Sequence, residues 1–265
     1  MRLNDSPDHS APTPVAAPRS DTKARILRSA VRLFAKRGFD VVSVREITED
    51  AKVNPAAISY HFGSKEGLIR TAIGLVFAPV NRERLHALKQ RQQAAVGRPL
   101  DLEAVVDALI TPSTYAVIRS ESHARYYARF SVLAYALRDP AIDAALAQEH
   151  DIVARSFIEA FSAALPDIDR ERICWCYDFA VGAIVHVLLD RDRGHRLAAL
   201  SNGLCDTDDP DQINRHLRAF IVGGMRARLA DAASSRTNGA AASQGKTRQQ
   251  PARKSRHKGS KGRMS

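Results

Sequence analysis

Between Asn54 and Lys65 the sequence concentrates side chains that hydrogen-bond to phosphates and to the edges of bases. The segment NPAAISYHFGSK contains serine, tyrosine, histidine and lysine donors together with two alanines. Hydroxyl and ammonium groups bind phosphate oxygens, and alanines let a helix approach base edges closely, where they can touch the methyl group of thymine. This combination of residue types indicates contact with nucleic acid.

Two helix-start signals place these side chains on the second of two short helices. Ser43 followed by Glu46 forms a capping box, in which each side chain satisfies a backbone N–H group. Asn54 followed by Pro55 is a second start, because asparagine caps well and proline is tolerated at the first helical position. Residues 43–68 are therefore predicted to form a helix-turn-helix, whose second helix enters the DNA major groove.

The helical period predicts which side of the second helix faces the groove. Ile58 and Phe62 are four residues apart and are expected to point inward. The opposite face then carries Ala56 and Tyr60, flanked by Ala57 and Ser59. Lys65 lies in the first turn of the next helix, where a cation is unfavourable unless an anion such as a DNA phosphate is nearby. The alternative interpretation treats Tyr60 and His61 as ordinary surface aromatics.

Composition predicts a soluble chain of one or two domains, with 45% hydrophobic and 26% charged residues among 265. The longest apolar run, Phe179 to Leu189, is shorter than the ~18 residues that suggest a membrane span. The first residues carry no apolar stretch typical of a secretion signal. We therefore expect a cytoplasmic protein with no membrane partner. The three cysteines and nine histidines show no zinc spacing, so no metal and no cofactor are expected.

The positive charge is concentrated near the end of the sequence. Nine lysines and arginines follow Asp231 and no acidic residue does, so the net charge of +11 falls to +2 without them. Residues 1–20, rich in Pro, Ser and Ala, and the basic tail at 233–265 are both predicted to be disordered. The tail is expected to be either a non-specific phosphate-binding arm or a dispensable, solubilising extension.

The rest of the sequence is predicted to be helical. A first helix at Thr22–Arg37 supports the helix-turn-helix, and the helix that begins after Ser64 is expected to kink or stop at Pro79. Further helices are expected at 101–119 with an interruption at Pro112, 121–138, 140–165, 169–193 and 211–231. The predicted fold class is all-α, with a three-helix helix-turn-helix domain at 21–68 followed by a helical bundle at 69–232.

Residues 22–69 resemble the N-terminal DNA-binding domain of the TetR/AcrR family of transcriptional regulators, and VNPAAISYHFGSKEGL is the most recognisable run. The resemblance implies a homodimer that binds a near-palindromic site in double-stranded DNA, responds to an unknown small-molecule effector and most often represses. Lys52 stands where the family commonly has glycine, which implies an adjusted backbone, and Thr48 stands where alanine is usual. The candidate DNA-binding residues are Ser43, Arg45, Asn54, Ala56, Ala57, Ser59, Tyr60, His61 and Lys65.

The family also implies that the C-terminal bundle is a ligand-binding and dimerisation domain. Effector sites are usually apolar cavities with a few polar groups, and the candidate liners are Tyr126, Arg129, Phe130, Trp175 and His186. Helix 169–193 is apolar on nearly every side, so we expect a second copy to cover part of it. The candidate dimer residues are Ala180, Ala183, Ile184, Val187, Leu217, Phe220, Ile221 and Gly224. Alternatively, the aromatic residues only fill the core and bind no ligand. The apolar helices would then belong to the large core of a monomer rather than to a dimer interface.

Two other classes of function remain open. One is an architectural or non-specific DNA-binding protein that relies on the basic tail. The other, which is the least supported, is a helical enzyme. The sequence shows no nucleophile–base arrangement, phosphate loop or metal set, so no enzymatic activity is expected.

Overall fold

The computed structural model describes residues 19–119, 123–137, 139–191 and 194–246. These residues form α-helices with short connections, and no β-strand occurs among them. The all-α fold class predicted from the sequence is confirmed.

Three helices form the N-terminal domain, namely α1 (Arg19–Arg37), α2 (Val44–Ala51) and α3 (Ala56–Phe62). They meet around a core in which Ile26 and Phe34 of α1 are fully buried. The same core includes Ile47 of α2 and Ile58 of α3, each at most 2% exposed. The predicted apolar sides of the three helices therefore face one another.

Helix α4 (Lys65–Ala94) leads from this domain into the rest of the molecule. It is 30 residues long and runs through Pro79, so the predicted stop does not occur. Proline removes a helical hydrogen bond and crowds the preceding turn. Val76, Phe77 and Val80 on both sides of it are completely buried, and this packing outweighs the local cost.

Within the described residues, the C-terminal bundle contains six further helices. They are α5 (Leu102–Ile118), α6 (Tyr127–Ala136), α7 (Pro140–Ala164), α8 (Arg170–Asp190), α9 (Arg196–Leu200) and α10 (Pro210–Lys246). Helix α5 continues through Pro112, where an interruption was predicted, and a 3-10 turn at His123–Tyr126 precedes α6. Helix α9 was not predicted. The α4 helix packs against α5 and α7, and α10 packs against α5 and α8.

The two ends of the chain only partly fall within the described residues. Helix α10 continues to Lys246, so residues 233–246 of the tail predicted to be disordered are helical in the structure. Helix α1 begins at Arg19, so residues 19–20 of the arm predicted to be disordered are helical as well. Residues 1–18 and 247–265 lie outside the described part of the chain.

An aromatic contact joins the N-terminal domain to the bundle. The Phe39 ring, in the connection between α1 and α2, lies 5.2 Å from the Phe130 ring of α6 in an edge-to-face arrangement. Phe39 also contacts Phe34 of α1 at 5.2 Å. This contact connects α6 with the segment that precedes the helix-turn-helix.

Candidate nucleic-acid interface

The start of α2 is fixed by the predicted capping box. The N–H of Glu46 donates to Ser43 Oγ at 3.2 Å, and the N–H of Ser43 donates to Glu46 Oε2 at 2.8 Å. Arg37 of α1 also donates to the Glu46 carboxylate. The backbone N–H of Ser43, the Arg37 guanidinium and the Ser43 hydroxyl together lower the pKa of Glu46 to about 2. The carboxylate is therefore charged at neutral pH, and the cap is intact.

The end of α2 is held by Arg25 of α1. Its Nη2 donates to the carbonyl oxygens of Ala51 and Lys52 at 2.6 and 2.8 Å. A guanidinium is favourable at this position because it satisfies C-terminal carbonyls and complements the helix dipole. Arg32 adds an ion pair with Asp50. The sequence reasoning missed these arginines, although Arg25 and Arg32 are two turns apart on one side of α1.

The two departures from the family pattern are Thr48, inside α2, and Lys52, in the turn that follows it. Lys52 has φ 53° and ψ 51°, the left-handed conformation that glycine adopts at lower cost. The adjusted backbone expected at Lys52 is therefore present. Thr48 is 1% exposed, and its hydroxyl donates to the carbonyl oxygen of Arg45 at 2.9 Å. Its buried polar atom is thus satisfied, which explains how threonine replaces a smaller residue.

Helix α3 exposes the face opposite Ile58. Asn54 Oδ1 accepts a hydrogen bond from the N–H of Ala56 at 2.8 Å, as expected for a capping residue. The Tyr60 side chain is 69% exposed, and Ala56 and Ser59 are exposed beside it. Ala57 is half-buried and packs against the core, so it offers less surface than its neighbours.

The other candidate DNA-binding residues lie on α2, near the end of α3 and at the start of α4. The His61 ring contacts the Tyr60 ring edge-to-face at 4.9 Å. Lys65, at the start of α4, directs its Nζ to the carbonyl oxygen of Asp40 at 3.4 Å. Arg45 is exposed on α2 and forms an ion pair with Glu49 at 2.7 Å. Hydroxyl, imidazole and cationic groups from α2, α3 and the first turn of α4 thus belong to one small domain.

The five candidate effector-binding residues do not share one buried site. Phe130 is completely buried against Phe39, and Tyr126 is half-buried with the Arg125 guanidinium 5.2 Å from its ring. Trp175 is 55% exposed on α8, and His186 is exposed on the same helix. Arg129 is half-buried and has an interaction partner.

A buried polar cluster lies elsewhere in the bundle and was not predicted. Arg84 of α4 is 1% exposed, and its guanidinium lies 5.2 Å from the ring of Tyr127. The Phe77 ring contacts both the Tyr127 ring at 5.1 Å and the His150 ring at 4.7 Å. Phe77, Val80 and Arg84 are spaced at i, i+3 and i+7, which places all three on the buried side of α4. The kink or stop expected at Pro79 hid this pattern. We call Arg84, Tyr127 and His150 the Arg84 cluster.

Burial changes the titration of groups in and near the Arg84 cluster. Loss of solvent, assisted by the charge of Arg84, lowers the pKa of His150 to about 4. Burial also raises the pKa of Tyr177 on α8 to about 12. Both groups are therefore neutral at pH 7, and Arg84 supplies the charge of the cluster.

The candidate dimer residues divide into two sets. Ala180, Ile184, Leu217 and Ile221 are at most 8% exposed, because α8 and α10 pack against their own bundle. They have little surface left for a second copy, and their place in a dimer interface stays a prediction. Ala183 and Val187 are half-buried, and Phe220 and Gly224 are exposed.

The exposed sides of α8 and α10 carry a set of apolar residues, of which the dimer prediction named only Phe220 and Gly224. Trp175 and Phe179 are 55% and 57% exposed and lie 5.7 Å apart, and Phe220 of α10 is 69% exposed. Gly182 of α8 and Gly224 of α10 have open space where a side chain would be. We call these five residues the α8–α10 face. Among the described residues, α8 is the one helix long and apolar enough to cross a membrane, a property that a core helix of a soluble protein can share.

Comparisons with known proteins match the two parts of the molecule separately. Residues 26–72 match the family described as bacterial regulatory proteins of the tetR family. Residues 107–224 match a tetracyclin repressor-like C-terminal domain. Together the two matched segments include α3, the Arg84-binding residues of α5 and α6, and the α8–α10 face.

Partial relatives carry the names of transcriptional regulators, and a solved structure shares the fold. The probable HTH-type regulator YttP of Bacillus subtilis is 54% identical over 48 residues, which are 18% of this chain and 23% of YttP. The repressor KstR2 of Rhodococcus jostii is 29% identical over 109 residues, 41% of this chain and half of KstR2. The alignments therefore span half or less of these relatives. A regulator structure from Pseudomonas aeruginosa PAO1, 15% identical, covers 81% of this chain and 95% of its own, with a TM-score of 0.58.

The fold, with its exposed helix-turn-helix, is that of a DNA-binding transcriptional regulator. It has an N-terminal helix-turn-helix domain and a separate helical domain. Within that class, the chain belongs to the TetR family of transcriptional regulators.

Proposed function

We propose that the chain is a ligand-responsive repressor that binds a near-palindromic operator as a homodimer. The exposed face of α3 carries the proposal, because Ala56, Ser59 and Tyr60 project from a helix whose other side is packed in the core. Such a helix fits the major groove, and two of them in a dimer read half-sites about 34 Å apart or a multiple of that distance. Lys65 and His61 would bind the flanking phosphates.

A repressor role is supported by the names of two partial relatives. KstR2 and NicS of Pseudomonas putida are both called transcriptional repressors, and NicS is 38% identical over 71 residues. An effector would release DNA only if it favours a dimer whose recognition helices are wrongly spaced. Helix α4 is the candidate for transmitting this change, since it begins beside α3 and runs into the bundle.

Replacement of Tyr60 by alanine tests the DNA-binding face. We expect about tenfold weaker binding to the operator, which corresponds to one lost contact worth roughly 1.4 kcal/mol. Thermal unfolding should be unchanged, because Tyr60 is 69% exposed. The operator would first be located by footprinting the DNA upstream of the chain's own gene and its neighbours. Binding is then measured by fluorescence anisotropy in the presence of competitor DNA.

Tyr135→Ala is the matched control, because Tyr135 is 63% exposed on α6, outside the DNA-binding domain. It should bind the operator like the unmodified chain. If Tyr60→Ala binds with unchanged affinity, the proposed orientation of α3 is wrong.

The architectural alternative depends on the basic tail. Deletion of residues 236–265 should lower non-specific affinity and the salt dependence of binding, since fewer counterions are released. The repressor proposal predicts that the operator is still bound in competitor DNA. Loss of all site preference in the deletion variant would favour the architectural alternative.

A further inference from the structure

The Arg84 cluster contains a buried positive charge whose contacts are all neutral within the described residues. Arg84 Nε donates to the carbonyl oxygen of Leu109 at 3.1 Å and to Ser113 Oγ at 2.8 Å. Its Nη1 donates to the hydroxyl of Tyr127 at 2.9 Å. No carboxylate among the described residues forms an ion pair with it. A buried charge is costly unless it is paired, so such an arrangement points to a partner from outside the chain.

Three polar atoms along the contact between α4 and α7 lack hydrogen-bond partners among the described residues. They are Arg84 Nη2, Asn81 Oδ1 and His150 Nε2, and each is buried. Arg84 and Asn81 are one turn apart on α4, and His150 is joined to the cluster through its ring contact with Phe77. Buried polar atoms are nearly always paired in native proteins, so a donor, an acceptor and an imidazole left unpaired together indicate a site for a ligand.

We propose that the Arg84 cluster is the effector site and that the effector is a carboxylate with an apolar body. The carboxylate would accept hydrogen bonds from Arg84 Nη2 and from the Tyr127 hydroxyl, and His150 and Asn81 would bind its neighbouring polar atoms. The rings of Phe77 and Tyr127 provide the apolar surroundings. This inference rests on the proposed function, because it names the ligand class to which the regulator responds.

The charge of the cluster favours a single negative charge on the ligand. His150 and Tyr177 are neutral at pH 7, as their shifted pKa values require. Arg84 therefore supplies one positive charge, which matches a carboxylate and leaves a phosphate dianion with an excess buried charge. Binding between α4 and α7 would move these helices relative to each other. Since α4 begins beside α3, the same movement would reach the DNA-binding domain.

Thermal unfolding of the full chain with paired probes tests the proposal. The probes are benzoate, phenylacetate, octanoate and decanoate, each compared with its uncharged primary amide at constant ionic strength and pH 7.5. We expect at least one carboxylate to raise Tm by about 5 °C near one hundred times its Kd, while its amide does not. Isothermal titration then gives the Kd. Failure of every carboxylate, or equal stabilisation by the amides, would overturn the proposal.

Arg84→Met should weaken binding of the active carboxylate roughly 100-fold, because the buried guanidinium is its only countercharge in the proposed site. Arg82→Met is the matched control, since Arg82 is exposed two positions away, and it should bind normally. If Arg84→Met does not fold, Tyr127→Phe removes only the hydroxyl and should weaken binding about tenfold. Normal binding by either cluster variant would contradict the site.

Operator binding is measured separately in the same samples. Specific operator binding without any carboxylate effect would refute the effector class and leave the regulator proposal intact. Carboxylate binding without any specific DNA site would support the ligand site and refute the regulator proposal. If both hold, the active carboxylate should weaken operator binding by the unmodified chain and leave that by Arg84→Met unchanged.

Discussion

The left-handed backbone conformation of Lys52 destabilises the folded helix-turn-helix locally. This conformation is less stable by roughly 1–2 kcal/mol for a non-glycine residue, because its Cβ lies too close to the following carbonyl oxygen. We predict that Lys52→Gly raises the free energy of unfolding by about 1 kcal/mol. Urea unfolding followed by circular dichroism measures this change.

Lys52→Ala separates the backbone effect from the loss of a charge. Alanine keeps a Cβ in the same conformation, so this variant should show no comparable gain. Equal stabilisation by glycine and alanine would show that the lysine charge, rather than the φ of 53°, is unfavourable.

His150 should make stability depend on pH. Its pKa is about 4 in the folded chain and near 6.5 when unfolded, mainly because burial disfavours the charged form. Between these values the unfolded state binds more protons, so the free energy of unfolding falls as the pH drops from 6.5 towards 4. At pH 5 the loss is about 2 kcal/mol relative to pH 8. Urea titrations across this range measure it.

His150→Gln should remove most of that slope, because glutamine does not titrate. His86→Gln is the control, since His86 is an exposed histidine on α4, and it should keep the slope. An unchanged slope in His150→Gln would mean that other groups cause the loss of stability in acid.

At the scale of elements, the junction between α3 and α4 requires glycine at position 67. A Cβ built there would lie 2.0 Å from the carbonyl oxygen of Phe62, which belongs to the backbone and cannot move aside. We predict that Gly67→Ala lowers the free energy of unfolding by about 2 kcal/mol despite the higher helix propensity of alanine. Thermal and urea unfolding would detect this loss.

Gly74→Ala is the control on the same helix. Its added Cβ would meet only the Glu149 side chain, at 3.3 Å from Oε1, and this flexible group can move. The variant should be close to neutral in stability. A Gly67→Ala chain as stable as Gly74→Ala would contradict the close packing at the junction.

Local signals predicted the helix-turn-helix better than the bundle. The capping box at Ser43 is confirmed because it depends on residues three positions apart, and the exposed face of α3 follows from the position of Ile58. The interruption predicted at Pro112 is wrong, and of the kink or stop predicted at Pro79 the stop does not occur, because tertiary packing keeps α5 and α4 helical there. The partners of Arg84 could not be foreseen, since Leu109 and Tyr127 come from two other helices and are far away in the sequence.

At the scale of the whole molecule, the periodicity of α8 indicated that it is apolar on most sides but did not show which side the bundle covers. Ala180 and Ile184 face inward, and Trp175 and Phe179 remain exposed. The α8–α10 face thus resembles the core of an interface, with aromatic side chains that bury a large area and glycines that let helices approach. A twofold axis would pair this face with the same face of a second copy.

Phe220→Glu tests this arrangement, because Phe220 is 69% exposed and a charge there would be buried without a partner in the dimer. We expect sedimentation velocity to show a dimer for the unmodified chain and mostly monomer for the variant, with the helical content retained. Operator affinity should fall at least tenfold, since a monomer binds only one half-site. Ile152→Glu introduces the same charge at a residue of α7 that is 64% exposed, and it should remain dimeric. A dimer that persists in Phe220→Glu would place the interface on another surface of the bundle.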